Sequence, residues 1–151
     1  MIENIIIRQA EKSDIDGLVN VLSELLVIEN EPVDEKAIKK GFELLMSRPE
    51  LYCIYLAEKD GVIVGMCQAQ SMVSVDEGGE VAYIENVIVS KGLRSSGLGT
   101  LLMSAVEECC KARGYGRVFL LVLGKNHKGI NFYERNGWKR DTHVFMEKEF
   151  V

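Results

Sequence analysis

The apolar positions of this chain change period along its length, and each change marks a predicted element. Asn4 to Gln9, built around Ile5, Ile6 and Ile7, reads as a first strand. Ile15, Leu18, Val19, Leu22, Leu25 and Leu26 then recur at helical spacing. Ser13 with Asp16 resembles a capping arrangement at the start of that helix, with Asp in place of the usual Glu. Glu29 to Val33 breaks the pattern at Pro32. Asp34 is placed to cap a second helix running to about Ser47, and Pro49 follows as a stop. Strand-like runs cover Leu51 to Glu58 and Val62 to Val73, joined by the hairpin turn Lys59-Asp60-Gly61. A turn at Asp76 to Gly79 precedes a strand from Glu80 to Val89. Leu98, Leu101, Leu102, Ala105 and Cys109 form one apolar stripe of a central helix that ends at Gly114-Tyr115-Gly116. Arg117 to Leu123 is a short apolar strand, a late helix follows, and Trp138 to Phe150 reads as closing strand material.

The order is β-αα-βββ-α-β-α-β. An antiparallel meander followed by β-α-β predicts a mixed α/β fold whose central sheet carries helices on both faces. The crossover makes the strands at 80–89 and 117–123 parallel. No repeat, low-complexity tract or linker interrupts the 151 residues, so one domain over 1–151 is expected. The net charge of −5 argues against general nucleic-acid binding. No apolar run approaches a membrane span. The Ile5–Ile7 run is too short for a signal-peptide core and lacks a basic leader. Of the four cysteines, none forms C-x-x-C, and reduced thiols in the cytoplasm are the expectation. Cys53 and Cys67 fall in apolar strands and read as core packing. Cys109-Cys110 reads as helical packing. His127 and His143 show no ligand spacing with them or each other, so no metal is expected.

The chemistry concentrates in residues 81–104. Val87, Ile88 and Val89 lead into a basic loop, Arg94-Ser95-Ser96-Gly97-Leu98-Gly99, and an apolar-periodic segment starts at once. Strand, glycine-bearing turn and helix start present a row of backbone N–H groups without intrahelical partners, where the helix dipole favours an anion. Gly97 and Gly99 let a phosphate approach the backbone closely. No acidic residue lies between Ser90 and Val106, while Lys91 and Arg94 sit in the loop. Neither G-x-x-x-x-G-K-(S/T) nor G-x-G-x-x-G occurs.

The string R-x-x-G-x-G between strand and helix resembles the pyrophosphate-binding motif (Q/R)-x-x-G-x-(G/A) of the GNAT superfamily of N-acetyltransferases. A second segment, Asn126 to Trp138, is similar to the family's late motif, in which a short helix carries a tyrosine and ends at a glycine before the next strand. Asn126, Ile130 and Tyr133 share one helical face, and Gly137 suits the position after the helix. Ser95 and Ser96 stand where glycine or basic residues are common, and Trp138 replaces the usual phenylalanine.

The resemblance implies acetyl-CoA as co-substrate, with its pyrophosphate on the N–H groups of Arg94, Ser95, Ser96, Gly97, Leu98 and Gly99, and with Thr100 and Tyr133 as further cofactor contacts. Its pantetheine arm would lie in a gap between two splayed strands, against the backbone of Val87, Ile88 and Val89. A bulge near Val87 would supply an N–H for the developing oxyanion. Glu85 is the implied general base and Tyr133 the implied general acid, with Asn126 as a cofactor contact or the cap of its own helix. Asn86 would hydrogen-bond substrate or tie backbone, and His127 is an alternative base. The implied activity is acetyl transfer to the amine of a small molecule of polyamine, aminoglycoside, amino-sugar or amino-acid type. A protein lysine or N-terminal acetyltransferase and a non-catalytic acyl-CoA sensor are the alternatives. A homodimer is left open.

Overall fold

The computed structural model describes residues 4–150. They form two compact units that divide after Leu121. The first holds β1 (Ile5–Gln9), α1 (Ile15–Glu29), α2 (Glu35–Met46), β2 (Tyr52–Lys59), β3 (Val62–Ser74), β4 (Gly79–Val89), α3 (Leu98–Ala112) and β5 (Val118–Leu120). The second holds α4 (His127–Arg135) and the segment after it.

The sheet order is β1-β2-β3-β4-β5. The first three pairings are antiparallel and β4–β5 is parallel, so the expected meander and crossover are both present. The β2–β3 hairpin turns through Asp60 (φ 50°) and Gly61 (φ 79°), the left-handed pair that matches strand twist. On one face of the sheet, Leu18, Leu22, Phe42 and Met46 of α1 and α2 pack with Ile54, Leu56, Met66 and Ile88. Strand alternation sends Cys53, Ala57, Gly65, Cys67 and Ala69 to the opposite face. There α3 lies against β2, β3 and β4, and Met103 Sδ is 3.6 Å from Cys67 Sγ. Small side chains on this face admit the helix closely.

Four expectations are corrected. Ser13 does not cap α1. A short 3₁₀ turn, Lys12–Asp14, precedes the helix, and Asp14 accepts from the Glu11 N–H at 2.8 Å. Asp14 also receives two bonds from Arg8, which in turn reaches Glu58 on β2, so ion pairing rather than a serine cap fixes the entry to α1. Asp34, by contrast, caps α2 as expected, accepting from the N–H groups of Lys36 and Ala37. The stripe of α3 is rotated: Leu98, Leu102, Met103, Val106 and Cys110 are buried, while Leu101 is exposed. Both stripes are apolar in sequence, and contact with the sheet selects between them.

The strand expected over Trp138–Phe150 does not form. No ladder involves these residues, and Val144, Phe145, Met146 and Phe150 are exposed. Alternation gives a segment two faces but does not give it a pairing partner. The cysteines also depart from expectation. Cys53 of β2 and Cys109 of α3 form a disulfide, with Cα atoms 6.4 Å apart. Cys67 and Cys110 remain free and buried. Burial pushes the Cys67 thiol far up and that of Cys110 up to about 11, so both stay protonated at neutral pH.

The bridge closes a loop of 56 residues, which by chain entropy stabilises the fold by about 4 kcal/mol. Reduction with dithiothreitol, or Cys53→Ser, is expected to lower the urea midpoint correspondingly. Unchanged denaturation curves with and without reductant would contradict the link.

Candidate active site

β4 is built to part from β5. Ala82, Tyr83 and Ile84 pair with Val118, Phe119 and Leu120, and the ladder stops there. Tyr83 and Phe119, opposite in register, stack with centroids 5.4 Å apart and clamp the paired end. On the other side of β4, Gln68 pairs with Glu85 and Met66 with Ile88. One residue of β3, Cys67, therefore faces two of β4, Asn86 and Val87. This is a β-bulge, and Asn86 takes its left-handed conformation at φ 54°. Asparagine tolerates that region better than most residues. Beyond Ile84, β4 has no ladder partner on its β5 side among the residues described, so the backbone of residues 85–89 has an open edge there.

The bulge also sets side-chain direction. Gln68 and Met66 lie on the α1–α2 face, so their partners Glu85 and Ile88 do too, although they are three apart in sequence. Glu85 thus sits half-buried on that face. The Gln68 Nε2 donates to Glu85 Oε1 at 2.9 Å, and the Gln70 Nε2 donates to the same oxygen. Burial pushes the Glu85 carboxyl above the usual carboxylate range, and the two amide bonds offset part of that rise. Glu85 and Asn86 line a cavity of about 300 Å³ together with Gln68, Gln70 and the apolar side chains Leu22, Ile38, Phe42 and Leu45.

After β4 the chain makes a 3₁₀ turn at Lys91–Leu93 and enters the basic loop. Arg94 Nε donates to the Val89 carbonyl at 2.9 Å and folds the arginine back along β4. Ser96 Oγ donates to the Leu93 carbonyl. Ser95 (φ 63°) and Gly97 (φ 88°) are both left-handed, which for the serine costs about 1 kcal/mol or more. Gly97 is the residue preceding α3, and no side chain caps the first N–H groups of that helix. Leu98 is buried beneath the loop, whereas Arg94, Ser95, Ser96, Gly97 and Thr100 are exposed. Those uncapped N–H groups suit an anion, while the Arg94 side chain is turned back to β4, with its Nη2 3.9 Å from Glu24 Oε1. Glu24 of α1 holds the start of the loop: its carboxylate accepts from Lys91 N and Ser90 Oγ, each at 2.9 Å.

In the second unit, Asn126 Oδ1 accepts from the Gly129 N–H at 2.9 Å and caps α4. The helix ends in a Schellman motif. Gly137 (φ 87°) donates to the Glu134 carbonyl, and Trp138 N donates to that of Tyr133. The turn lays Trp138 against Tyr133, ring centroids 6.2 Å apart, with Phe132 edge-on to Tyr133 at 5.2 Å. His127 is the first residue of α4 and is exposed.

A model of the "Acetyltransferase (GNAT) family" matches residues 18–138. This chain belongs to the GNAT family of acetyltransferases. It is 26% identical over 141 residues to the aminoalkylphosphonate N-acetyltransferase of Salmonella typhimurium, covering 93% of this chain and 89% of that one. It is 28% identical over 145 residues to the amino-acid acetyltransferase of Shewanella oneidensis, where the match covers 96% of this chain but only 26% of the relative. Among solved structures, a predicted acetyltransferase of Clostridium acetobutylicum, determined with acetyl-CoA, superposes with a TM-score of 0.82 at 19% identity, covering 95% and 96% of the two chains. The GNAT fold is therefore shared at low sequence identity.

Three site-forming residues were not legible in the sequence: Gln68, Gln70 and Glu24. Gln68 and Gln70 come from β3, and only the register brings them to Glu85. Glu24 reaches Ser90 and Lys91 across 66 and 67 residues of chain.

The burial of Glu85 has a sign. Its folded carboxyl holds its proton more tightly than in the unfolded chain, so its contribution to stability is full below the ordinary carboxylate pKa and is lost as pH rises through the folded value. Glu85→Gln removes that loss. Paired urea titrations from acid to neutral pH are expected to show the variant gaining on wild type as pH rises, then holding a constant lead. A pH-independent difference would mean that burial does not perturb the group.

Proposed function

We propose that this chain is an acetyl-CoA-dependent N-acetyltransferase acting on a small-molecule amine, with the two units serving as one acetyltransferase domain. The single observation that carries the reading is the half-buried Glu85 on β4, next to a bulge, a strand edge without a ladder partner and a cavity. The family match across residues 18–138, which runs through the division between the units, supports a single domain. The Salmonella and Shewanella relatives bear the names of acetyltransferases of small amines, which favours a metabolite over a protein acceptor. Acetyl-CoA is a cytoplasmic metabolite, so we place the reaction in that compartment.

The residues fit this co-substrate. The uncapped N–H groups at the start of α3 and the loop Arg94, Ser95, Ser96, Gly97, Leu98 and Gly99 would take the pyrophosphate, with Thr100 a further cofactor contact. The open edge of β4 at Val87, Ile88 and Val89 would pair with the amides of the pantetheine arm, as an added strand does. Asn126 is assigned as a further contact to that arm. Acetyl-CoA supplies the acetyl group as a thioester. A backbone N–H at the bulge would donate to the thioester oxygen as charge develops on it. Glu85, raised in pKa by burial, would take a proton from the attacking ammonium group, directly or through water. Tyr133 would donate its phenolic proton to the departing thiolate, with its ring held by Phe132 and Trp138.

Gly97→Glu adds negative charge where phosphate would sit and places a side chain at φ 88°. Calorimetry with CoA is expected to show binding weakened at least about 100-fold, a change of roughly 2.7 kcal/mol. Unchanged affinity in a folded variant would remove the pyrophosphate assignment.

Tyr133→Phe removes only a hydroxyl. It is expected to lower kcat by about 10²–10⁴-fold while leaving acetyl-CoA affinity within a few-fold. Near-wild-type turnover would assign the proton to water or another group.

A further inference from the structure

The cavity beside Glu85 is chemically lopsided. Its wall is Leu22, Ile38, Phe42 and Leu45, and its polar end is Gln68, Gln70, Glu85 and Asn86. Glu85 is the only ionisable side chain in the lining, and no cation stands there. Both glutamine amides donate to Glu85 Oε1, and no hydrogen bond among the described residues reaches Oε2. Gln68 is 3% exposed, and its Oε1 is buried without a hydrogen-bond partner. That buried carbonyl is sealed from the cavity, so the acceptor open to a ligand at this end is the carboxylate of Glu85. Gln68 and Glu85 are directly paired residues of neighbouring strands, so the amide that orients the carboxylate is fixed by the sheet.

We infer that the acceptor is a primary amine with one positive charge and an apolar aliphatic or aromatic body. This rests on the acetyltransferase reading above and narrows it. The ammonium group donates to Glu85 Oε2 at the polar end. The body lies against Leu22, Ile38, Phe42 and Leu45, where burial of its apolar surface supplies the affinity. A phosphate, phosphonate or carboxylate on the acceptor finds no cation in this lining. A second ammonium group finds no second carboxylate. Sugar hydroxyls facing the wall would lose their hydrogen bonds. Polyamine, aminoglycoside, amino-sugar and amino-acid acceptors therefore fit the cavity less well than a simple amine. Gln68 is a positioning residue in this arrangement, because its amide orients Glu85.

The test compares hexylamine and phenethylamine with spermidine, 2-aminoethylphosphonate and glucosamine 6-phosphate, read as thiol release from acetyl-CoA by the full chain. The two apolar amines are expected to exceed the others by about 10- to 100-fold in kcat/KM. Ile38→Glu supplies a second carboxylate on the wall and should move the preference toward the diamine putrescine by about tenfold relative to hexylamine. Calorimetric titration of hexylamine into the protein saturated with CoA is the second readout. Hexylamine binding without thiol release from any amine would overturn the transferase reading and leave the cavity assignment standing. Thiol release with the charged or hydroxylated acceptors and neither turnover nor binding of the apolar amines would overturn this inference alone. An Ile38→Glu variant with an unchanged preference would also count against it, by removing the wall from acceptor recognition.

Discussion

The parallel ladder between β4 and β5 ends after three residue pairs, and the rest of the site depends on that ending. A continued ladder would consume the backbone groups of residues 85–89 in the sheet. The bulge at Asn86 and Val87 stops the strand from running on regularly, and it does a second thing. By inserting one residue it brings Glu85 and Ile88 to the same face, so that a carboxylate and a core anchor are carried side by side. A regular strand would send one of them toward α3. One residue in a left-handed conformation therefore accompanies both the free strand edge and the direction of the acidic group.

Glu85 is held between opposed effects. Burial favours its neutral form, while two amide donors favour the carboxylate. Because both donors share one oxygen, the group is oriented without being saturated. A salt bridge in the same place would hold the carboxylate ionised and occupied. Side-chain amides orient it without supplying a counter-charge.

The order of elements and their approximate bounds were legible because each has a period that only one kind of structure satisfies. Asp34 capped its helix and Gly137 ended one, since these roles depend on neighbours within a few residues. What the sequence did not show was long-range. The face of α3 that is buried depends on small residues of two strands, β2 and β3. The Cys53–Cys109 bridge depends on β2 meeting α3. The pairing of Gln68 and Gln70 with Glu85 depends on register. Ser13 does not cap its helix because a 3₁₀ turn precedes it, where the Asp14 carboxylate bonds Glu11 N and is drawn into an ion-pair network by Arg8. Residues 138–150 show the converse error, a strand-like pattern with no ladder. The loop glycines and Arg94 were visible as a motif, but the left-handed Ser95 was not, because serine carries no signal for that conformation.

The Schellman turn after α4 sets the chain's only tryptophan against the ring of Tyr133. At a centroid separation of 6.2 Å the two chromophores are within range of efficient energy transfer and of quenching by a phenolate. The indole emission of the unmodified protein thus comes from a single tryptophan whose ring lies beside the phenol of Tyr133, with no second indole to obscure it.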